Sequence, residues 1–396
     1  MPVFGLGCGD DGELGDETGD ETGGDEWGPG PDYPEPGELI WRVDDFHTLL
    51  GTGADGRSVI LRAATADPQD PTVDALWLDP DDGSVATEVL DWPSPDYFDP
   101  ALLPGEIVEP DHLLLPGTDL EAIDAGLQQR LAPDGSLVAQ TRALDTASAD
   151  RVLTTPSGDT LLLGRIDGGR RFLARISPDG AVLWQRDLST GDFGAVAVSD
   201  VAVDTDGAIV AVGYTLDGGS VPRVIEFDPN TGDTFIEQVI NAEITLDRVV
   251  LSAGDLYVAG FSAISMLEPR TPILSRINPD GIVVWSEPVG PAIAPNEPPT
   301  DYTFTLTADP VGQGACLTTW RPTVVDGQTV SATGSAACLR DDREVVWSHV
   351  ATEPEDAIAL KTWADGDGDL YVQFGLNTPD NQPVGTRVDK LGNPFR

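Results

Sequence analysis

Apolar residues along this chain come in short, nearly unbroken runs separated by turn-forming polar clusters. The runs "HLLLPG" (112–117), "TLLLG" (160–164), "AIVAVG" (208–213), "DLYVAG" (255–260) and "DLYVQFG" (369–375) are rich in Leu, Val, Ile and Tyr. They are too short for helices, and a strand covered on both faces must be apolar on both alternating sides, so they read as buried strands. Before most of them lies another strand and tight turn, as in "RVLTTPSGD", "DVAVDTDG", "RVVLSAGD" and "AIALKTWADGDG". After them comes a recurring phrase, clearest in "RISPDGAVLW" (175–184) and "RINPDGIVVW" (276–285). A Pro-Asp-Gly or Asn-Thr-Gly core between β-prone runs reads as a hairpin turn, with glycine taking the positive φ that side chains resist. The predicted unit is four strands joined by three turns, with no helix-period segment.

Aligned on its turn residue, the phrase recurs at Gly83, Gly135, Gly180, Gly232, Gly281, Arg343 and Gly392. Self-similarity at about 50 residues is the period of propeller blades. The expected fold is all-β: a seven-bladed β-propeller of four-stranded antiparallel blades, with six or eight blades as the alternatives. The last phrase ends at Arg396 without an outer strand, and "GELIWRVDDF" (37–46) reads as the missing one. Trp41 follows Gly37 at the spacing that puts Trp184 after Gly180 and Trp285 after Gly281. The N-terminal strand is therefore expected to close the ring, leaving only short protected edges. Trp41, Trp184, Trp285 and Trp347 share one outer-strand position and are expected to pack between neighbouring blades. Thr87, Ala139 and Ile236 stand there in other copies.

Charge changes the picture at the surface. The chain has 68 acidic and 22 basic residues, a net charge of -46, and only two lysines, Lys361 and Lys390. Such a surface repels nucleic acid and anionic lipid, so nucleic-acid binding is the least favoured function class. No apolar run is long enough for a membrane-spanning helix, which needs about 20 residues. Residues 9–36, made of Gly, Asp, Glu, Thr and Pro, have almost nothing to bury and are expected to form a disordered acidic tether ahead of a single propeller domain at 37–396. Of the three cysteines, Cys316 and Cys338 flank a turn at Asp326 and Gly327. Antiparallel pairing about that turn sets them nearly opposite, offset by about one residue; a cross-strand disulfide then fits an oxidising compartment, with two buried thiols as the alternative.

Two resemblances add to this reading. "GLGC" (5–8) resembles the processed end of a bacterial lipoprotein, which implies residues 1–8 are a signal remnant, Cys8 carries a lipid, and that lipid is the only membrane contact. Leu6 stands two residues before Cys8, where the family usually has leucine three before. Gly9, in place of an aspartate, after the cysteine implies by the same resemblance the outer over the inner membrane; the expected address is extracytoplasmic, at the outer membrane, the cell surface or the periplasm. The outer-strand phrase resembles that of quinoprotein-like (PQQ-like) propellers, a D-x-x-T-G turn followed by tryptophan. "FDPNTG" (227–232) carries the turn, and "ISPDGAVLW" and "INPDGIVVW" carry the tryptophan. Quinone-dependent members have eight blades and often a vicinal cysteine pair, features not evident here, so no quinone cofactor is expected. Within that fold an outer-membrane assembly lipoprotein is a tethered propeller that binds other proteins. The resemblance thus implies a monomeric binding or scaffold module for a protein or glycan partner. A propeller enzyme, hydrolase or quinone-dependent oxidoreductase, and a calcium-dependent structural envelope protein are the alternatives.

Motifs for chemistry are sparse. His47, His112 and His349 lack metal-ligand spacing, and no phosphate loop, G-x-S-x-G or H-E-x-x-H occurs. "DGDGD" (365–369) is expected to be an ordinary turn, because an EF-hand calcium loop would need Gly and Glu where Leu370 and Leu376 stand. Asp45, Asp150, Asp200, Asp247, Asp301 and Asp356 are read as opening the first strands of their units. Carboxylates converging on the propeller axis would form a site for calcium; the alternative is that each accepts backbone N–H bonds at its own strand entry. Two long Pro-rich insertions carry Tyr97, Phe98 and Tyr302, expected as partner-binding anchors.

Overall fold

The computed structural model describes residues 35–46, 48–52, 57–63, 73–92, 106–108, 112–119, 122–131, 137–142, 147–166, 170–188, 196–204, 206–215, 221–262, 269–293, 302–309, 312, 314–325, 328–351, 358–377 and 383–396. Among them are 28 strands and no helix. The strands form seven four-stranded antiparallel sheets, and in sheets 1 to 6 spatial order follows chain order. The innermost strands are Thr48–Thr52, Glu106–Val108, Ala147–Thr154, Val196–Val203, Arg248–Ser252, Thr303–Ala308 and Ile358–Ala364. Each adjoins the next, and the last adjoins the first, so the sheets close into a ring about one axis. The apolar runs singled out in the sequence are the second strands of their sheets, the most enclosed position.

Sheet 7 is completed by the N-terminal strand Leu39–Phe46, which pairs antiparallel with Pro383–Leu391. Gly37 N donates to Gly392 O at 3.0 Å and Gly392 N to Glu38 O at 2.8 Å. Arg42 grips Asp389 with two bonds of 2.7 and 2.8 Å. One expectation is corrected here: Gly37, at φ 72°, takes the positive φ of the turn, and Gly392 does not. Gly37 and Gly392 meet at this corner, so the arriving strand supplies the turn glycine.

The described core lies between consecutive sheets. One cluster joins sheets 3 and 4 around Leu161, Leu163 and Ile225; others join sheets 4 and 5, 5 and 6, 6 and 7, and 7 and 1. Burial of this kind is the main source of stability, so each sheet depends on its neighbours.

A polar latch sits on top of these clusters. Trp184 Nε1 in sheet 3 donates to Pro229 O in the turn of sheet 4 at 2.7 Å; Trp285 in sheet 5 donates to Asp341 O in sheet 6 at 2.8 Å; Trp41 in sheet 7 donates to Pro80 O in sheet 1 at 2.9 Å. A cation from the adjacent strand reaches the same carbonyl: Arg175 at 2.6 Å, Arg276 at 3.2 Å and Lys390 at 3.0 Å. Carboxylates hold those cations, with Asp159 and Asp255 each 2.5 Å from their arginine and Asp369 3.3 Å from Lys390. The indole ring also explains the turn glycine. A Cβ on Gly232 would lie 2.6 Å from the Trp184 ring, and one on Gly83 would lie 2.9 Å from the Trp41 ring. In sheet 4, where Ile236 replaces tryptophan, Gln238 Nε2 donates to Pro279 O of sheet 5 at 3.2 Å.

Sheet 6 departs from this scheme. Cys338 stands where sheets 3, 5 and 7 place the cation, and Cys316 where they place Leu161, Tyr257 and Tyr371. The two cysteines are direct cross-strand partners joined by a disulfide across 22 residues. The expected one-residue offset is absent, because a register shift between Thr323 and Val324 absorbs it.

Candidate functional site

The innermost strands meet around the axis, and one rung of their ladders carries four charged residues and a threonine. On this rung Arg151 faces Leu163, Asp200 faces Val212, Arg248 faces Ala259, Thr305 faces Thr318 and Lys361 faces Gln373. Each of these second-strand partners lies two residues beyond the one paired with the latch position, so the five inner residues are equivalent. A β-bulge leaves one residue unpaired just before Arg151, Asp200 and Lys361. Bulges re-aim the side chain that follows, and three at one level of one ring are a feature of construction.

The aspartates expected to share this level do not. Asp150 is itself a bulge residue, Asp200 lies on the rung, and Asp247 precedes it by one position. Asp45 belongs to the outermost strand of sheet 7 instead of an innermost strand. Asp301 and Asp356 lie outside the described residues. Basic residues, which the sequence reading passed over, share the rung with Asp200: Arg151, Arg248 and Lys361. The missed signal was the residue directly after each bulge, which no periodic pattern marks. Among the described residues no three His, Cys, Asp or Glu side chains converge as metal ligands.

Asp200 ties three sheets together. It is buried, its Oδ2 accepts from Val249 N of sheet 5 at 3.0 Å, and its Oδ1 lies 3.6 Å from Arg151 Nε of sheet 3. Accepting a backbone N–H is what short acidic side chains do at strand boundaries, although here the amide belongs to the next sheet. Asp247 is held differently: Thr245 Oγ1 donates to it at 2.6 Å and Tyr214 O–H approaches at 3.5 Å. Burial raises its pKa, while the Thr245 hydroxyl, Arg248, Tyr214 and Arg270 oppose the rise. The Tyr214 phenol, buried beside that carboxylate, is pushed well above its ordinary value.

The other expected residues fall into three groups. Cys8, Tyr97 and Phe98 lie outside the described residues. Tyr302 packs edge-on against Phe261 at 5.6 Å beside the core between sheets 5 and 6, with Arg321 5.5 Å over its ring. In the 365–369 turn, Asp365 Oδ1 accepts from the N–H groups of Asp367 and Asp369, and Lys390 lies 3.5 and 3.3 Å from the two carboxylates. That turn serves the latch.

A second surface feature went unread in the sequence. Large apolar side chains stand exposed on successive outer strands: Leu183 in sheet 3, Phe235 in sheet 4, Ile282 beside sheet 5, and Val345 and Val350 in sheet 6. Phe235 is 66% and Ile282 60% exposed, on a chain whose surface is otherwise strongly acidic.

Ring closure, four-stranded antiparallel sheets, and a tryptophan from one outer strand seated on the turn of the next together define a β-propeller, with seven sheets among the described residues. No protein-family model matches the chain, and no curated protein matches it. Solved structures that resemble it include BamB from Moraxella catarrhalis, at 11% identity over 89% of this chain and 99% of that one, with a TM-score of 0.43. Quinohemoprotein alcohol dehydrogenase from Comamonas testosteroni resembles it at 10% identity over 90% and 76% of the two chains, with a TM-score of 0.47. A protein of unknown function from Bacteroides caccae does so at 13% identity over 66% and 81%, with a TM-score of 0.42. The fold assignment stands on the strand order and closure of the chain itself.

Proposed function

We propose that this protein is an extracytoplasmic binding module, a rigid propeller that presents its outer strands to a protein partner. The observation that carries the reading is the recurrence of exposed apolar side chains, Leu183, Phe235, Ile282 and Val345 among them, on neighbouring outer strands. Exposed apolar groups that recur on an acidic surface mark a place where another macromolecule removes them from water. The latches and the closed ring support the same reading, because a preorganised scaffold loses little entropy on binding. The Cys316–Cys338 disulfide supports an oxidising compartment. An N-terminal lipid on Cys8 would hold the propeller at a membrane through the acidic segment that follows.

The test places a photocrosslinking residue at Phe235 or Ile282 of the full chain, expressed with its native upstream sequence. A discrete heterologous adduct that disappears with aspartate at the neighbouring exposed position is expected. Adducts only to a second copy would reassign the surface to self-association. No adduct, or binding only to a glycan array, would overturn the protein-partner reading. Acylation that depends on Cys8 is read from the same preparation by mass.

A further inference from the structure

The outer strands share one irregularity. In each of the seven sheets, the residue three positions after the turn residue has no partner on the third strand; Leu183, Phe235 and Val284 are that residue in sheets 3, 4 and 5. Such β-bulges re-aim a side chain and blunt a strand edge against pairing with a further strand. A partner that adds a strand is disfavoured at this level, whereas one that docks on side chains is not. The side chains here are apolar and face water. Of the ten large apolar side chains exposed among the described residues, eight stand within three positions after a turn residue. Exposed apolar residues scattered singly are ordinary, but their concentration at one level is not.

Sheets 3, 4 and 5 repeat one strand order, so equal positions on their outer strands lie at one end of the ring. Contacts between the sheets agree: Trp184 Nε1 reaches Pro229 O in the turn of sheet 4, and Gln238 Nε2 reaches Pro279 O in the turn of sheet 5. Leu183, Phe235 and Val284 therefore follow one another along a rim. Each has an exposed carboxylate a few residues before it, Asp179, Asp233 and Asp280 respectively. The Ser177 hydroxyl donates to Asp179 and holds that carboxyl below its ordinary value, so it stays ionised at physiological pH. Asp233 meets Arg186 at 2.6 Å in an exposed pair that solvent screens. With a net charge of -46, the chain repels a second copy of itself and an anionic lipid surface, and attracts a partner that carries positive charge.

We propose that the rim carrying Leu183, Phe235 and Val284, with Asp179, Asp233 and Asp280 beside them, docks a cationic amphipathic segment of a partner protein through its side chains. The assignment rests on the reading above that the outer strands meet a protein, and it specifies that partner's chemistry. Apolar groups of the segment cover the bulge side chains and remove them from water. Its Lys and Arg residues meet the carboxylates, which steer the encounter and set its orientation. The contact positions belong to strands of a closed ring, so little ordering is required of this side.

Fluorescence anisotropy of a labelled Leu/Lys amphipathic peptide, titrated with the full chain, tests the assignment, with a Leu/Glu peptide and a Gly/Lys peptide for comparison. Saturable binding of the Leu/Lys peptide is expected, with weaker binding of Gly/Lys, none of Leu/Glu, and an affinity that falls as salt rises. Leu183→Ser combined with Phe235→Ser should weaken binding by about tenfold or more through loss of two apolar anchors; both positions are exposed, so the fold is kept. Unchanged affinity in that double variant, or a Gly/Lys peptide binding as tightly as Leu/Lys, would mean unspecific charge attraction and overturn the rim site. Equal binding of the Leu/Glu peptide would overturn the cationic chemistry. If the Leu/Lys peptide fails to bind while Phe235 still crosslinks to a heterologous protein, only the chemistry assigned to the partner falls; if both fail, the protein-partner reading falls with it.

Discussion

Lys390 and Lys361, the only lysines in the chain, both belong to sheet 7 and are treated in opposite ways. At the latch, Lys390 is 6% exposed, lies 3.5 and 3.3 Å from Asp365 and Asp369, and donates to Pro80 O across the boundary with sheet 1. On the innermost strand, Lys361 rests 5.2 Å from the ring centre of Trp363, and burial pulls its ammonium down to about 8. The fold thus pairs one buried charge with two carboxylates where sheets must be held together and sets the other against an aromatic ring. Burying a charge is costly unless it is paired, so the first arrangement is structural and the second is retained against stability.

The contrast is broken most severely at the closure. Deleting residues 37–46 removes the outer strand of sheet 7 and the Trp41 contact with Pro80; loss of the cooperative unfolding transition is expected, read by calorimetry. A midpoint within a degree of wild type would refute closure as the stabilising device. Next comes Lys390→Met, which leaves Asp365 and Asp369 uncompensated and should destabilise by about 3–5 kcal/mol in urea unfolding. Changing Cys316 and Cys338 together to Ala should cost about 3 kcal/mol, the chain-entropy value for a loop of this length, measured against the oxidised parent.

Lys361→Met sharpens the comparison by having the opposite sign. It removes a buried charge with no carboxylate partner among the described residues and should stabilise by about 1–3 kcal/mol at pH 7. The pH dependence follows from the depressed lysine. Between about 8 and its ordinary value of 10.5, the unfolded chain holds a proton that the folded protein has released, so stability rises with pH across that window. The rise should be clearest below pH 10, before the buried tyrosines oppose it, and should vanish in Lys361→Met. The smallest effect is expected at Arg343, which holds the turn position at φ 76°. Arg343→Gly should stabilise by about 1 kcal/mol, since only the long, exposed ion pair to Glu287 at 3.8 Å is lost.

Much of the scaffold was legible before any coordinates. The turn glycines, the buried second strands and the outer-strand tryptophans are local choices, made by residues whose preferences act over a few positions. Closure by the N-terminal strand could be read because Trp41 keeps its distance from Gly37 like its counterparts in sheets 3 and 5. The cysteine pair could be read because a hairpin brings near neighbours together. The site was less legible. The aspartates fall at similar places in successive units of the sequence, but bulges before Arg151, Asp200 and Lys361 add one residue each and shift them out of register. A one-residue slip changes which side chain a strand presents to a given face.

The sequence by itself thus determined the repeating hairpins, the number of copies and the strand that completes the last one, because hydrophobic period and turn chemistry are short-range. Only the tertiary structure decided that Arg151 and Lys361, 210 residues apart, take equivalent positions on innermost strands, that Lys390 is held by two carboxylates while Lys361 rests on Trp363, and that Tyr302 packs beside a core. These depend on how seven sheets close into a ring, a global constraint to which each sheet contributes one rung.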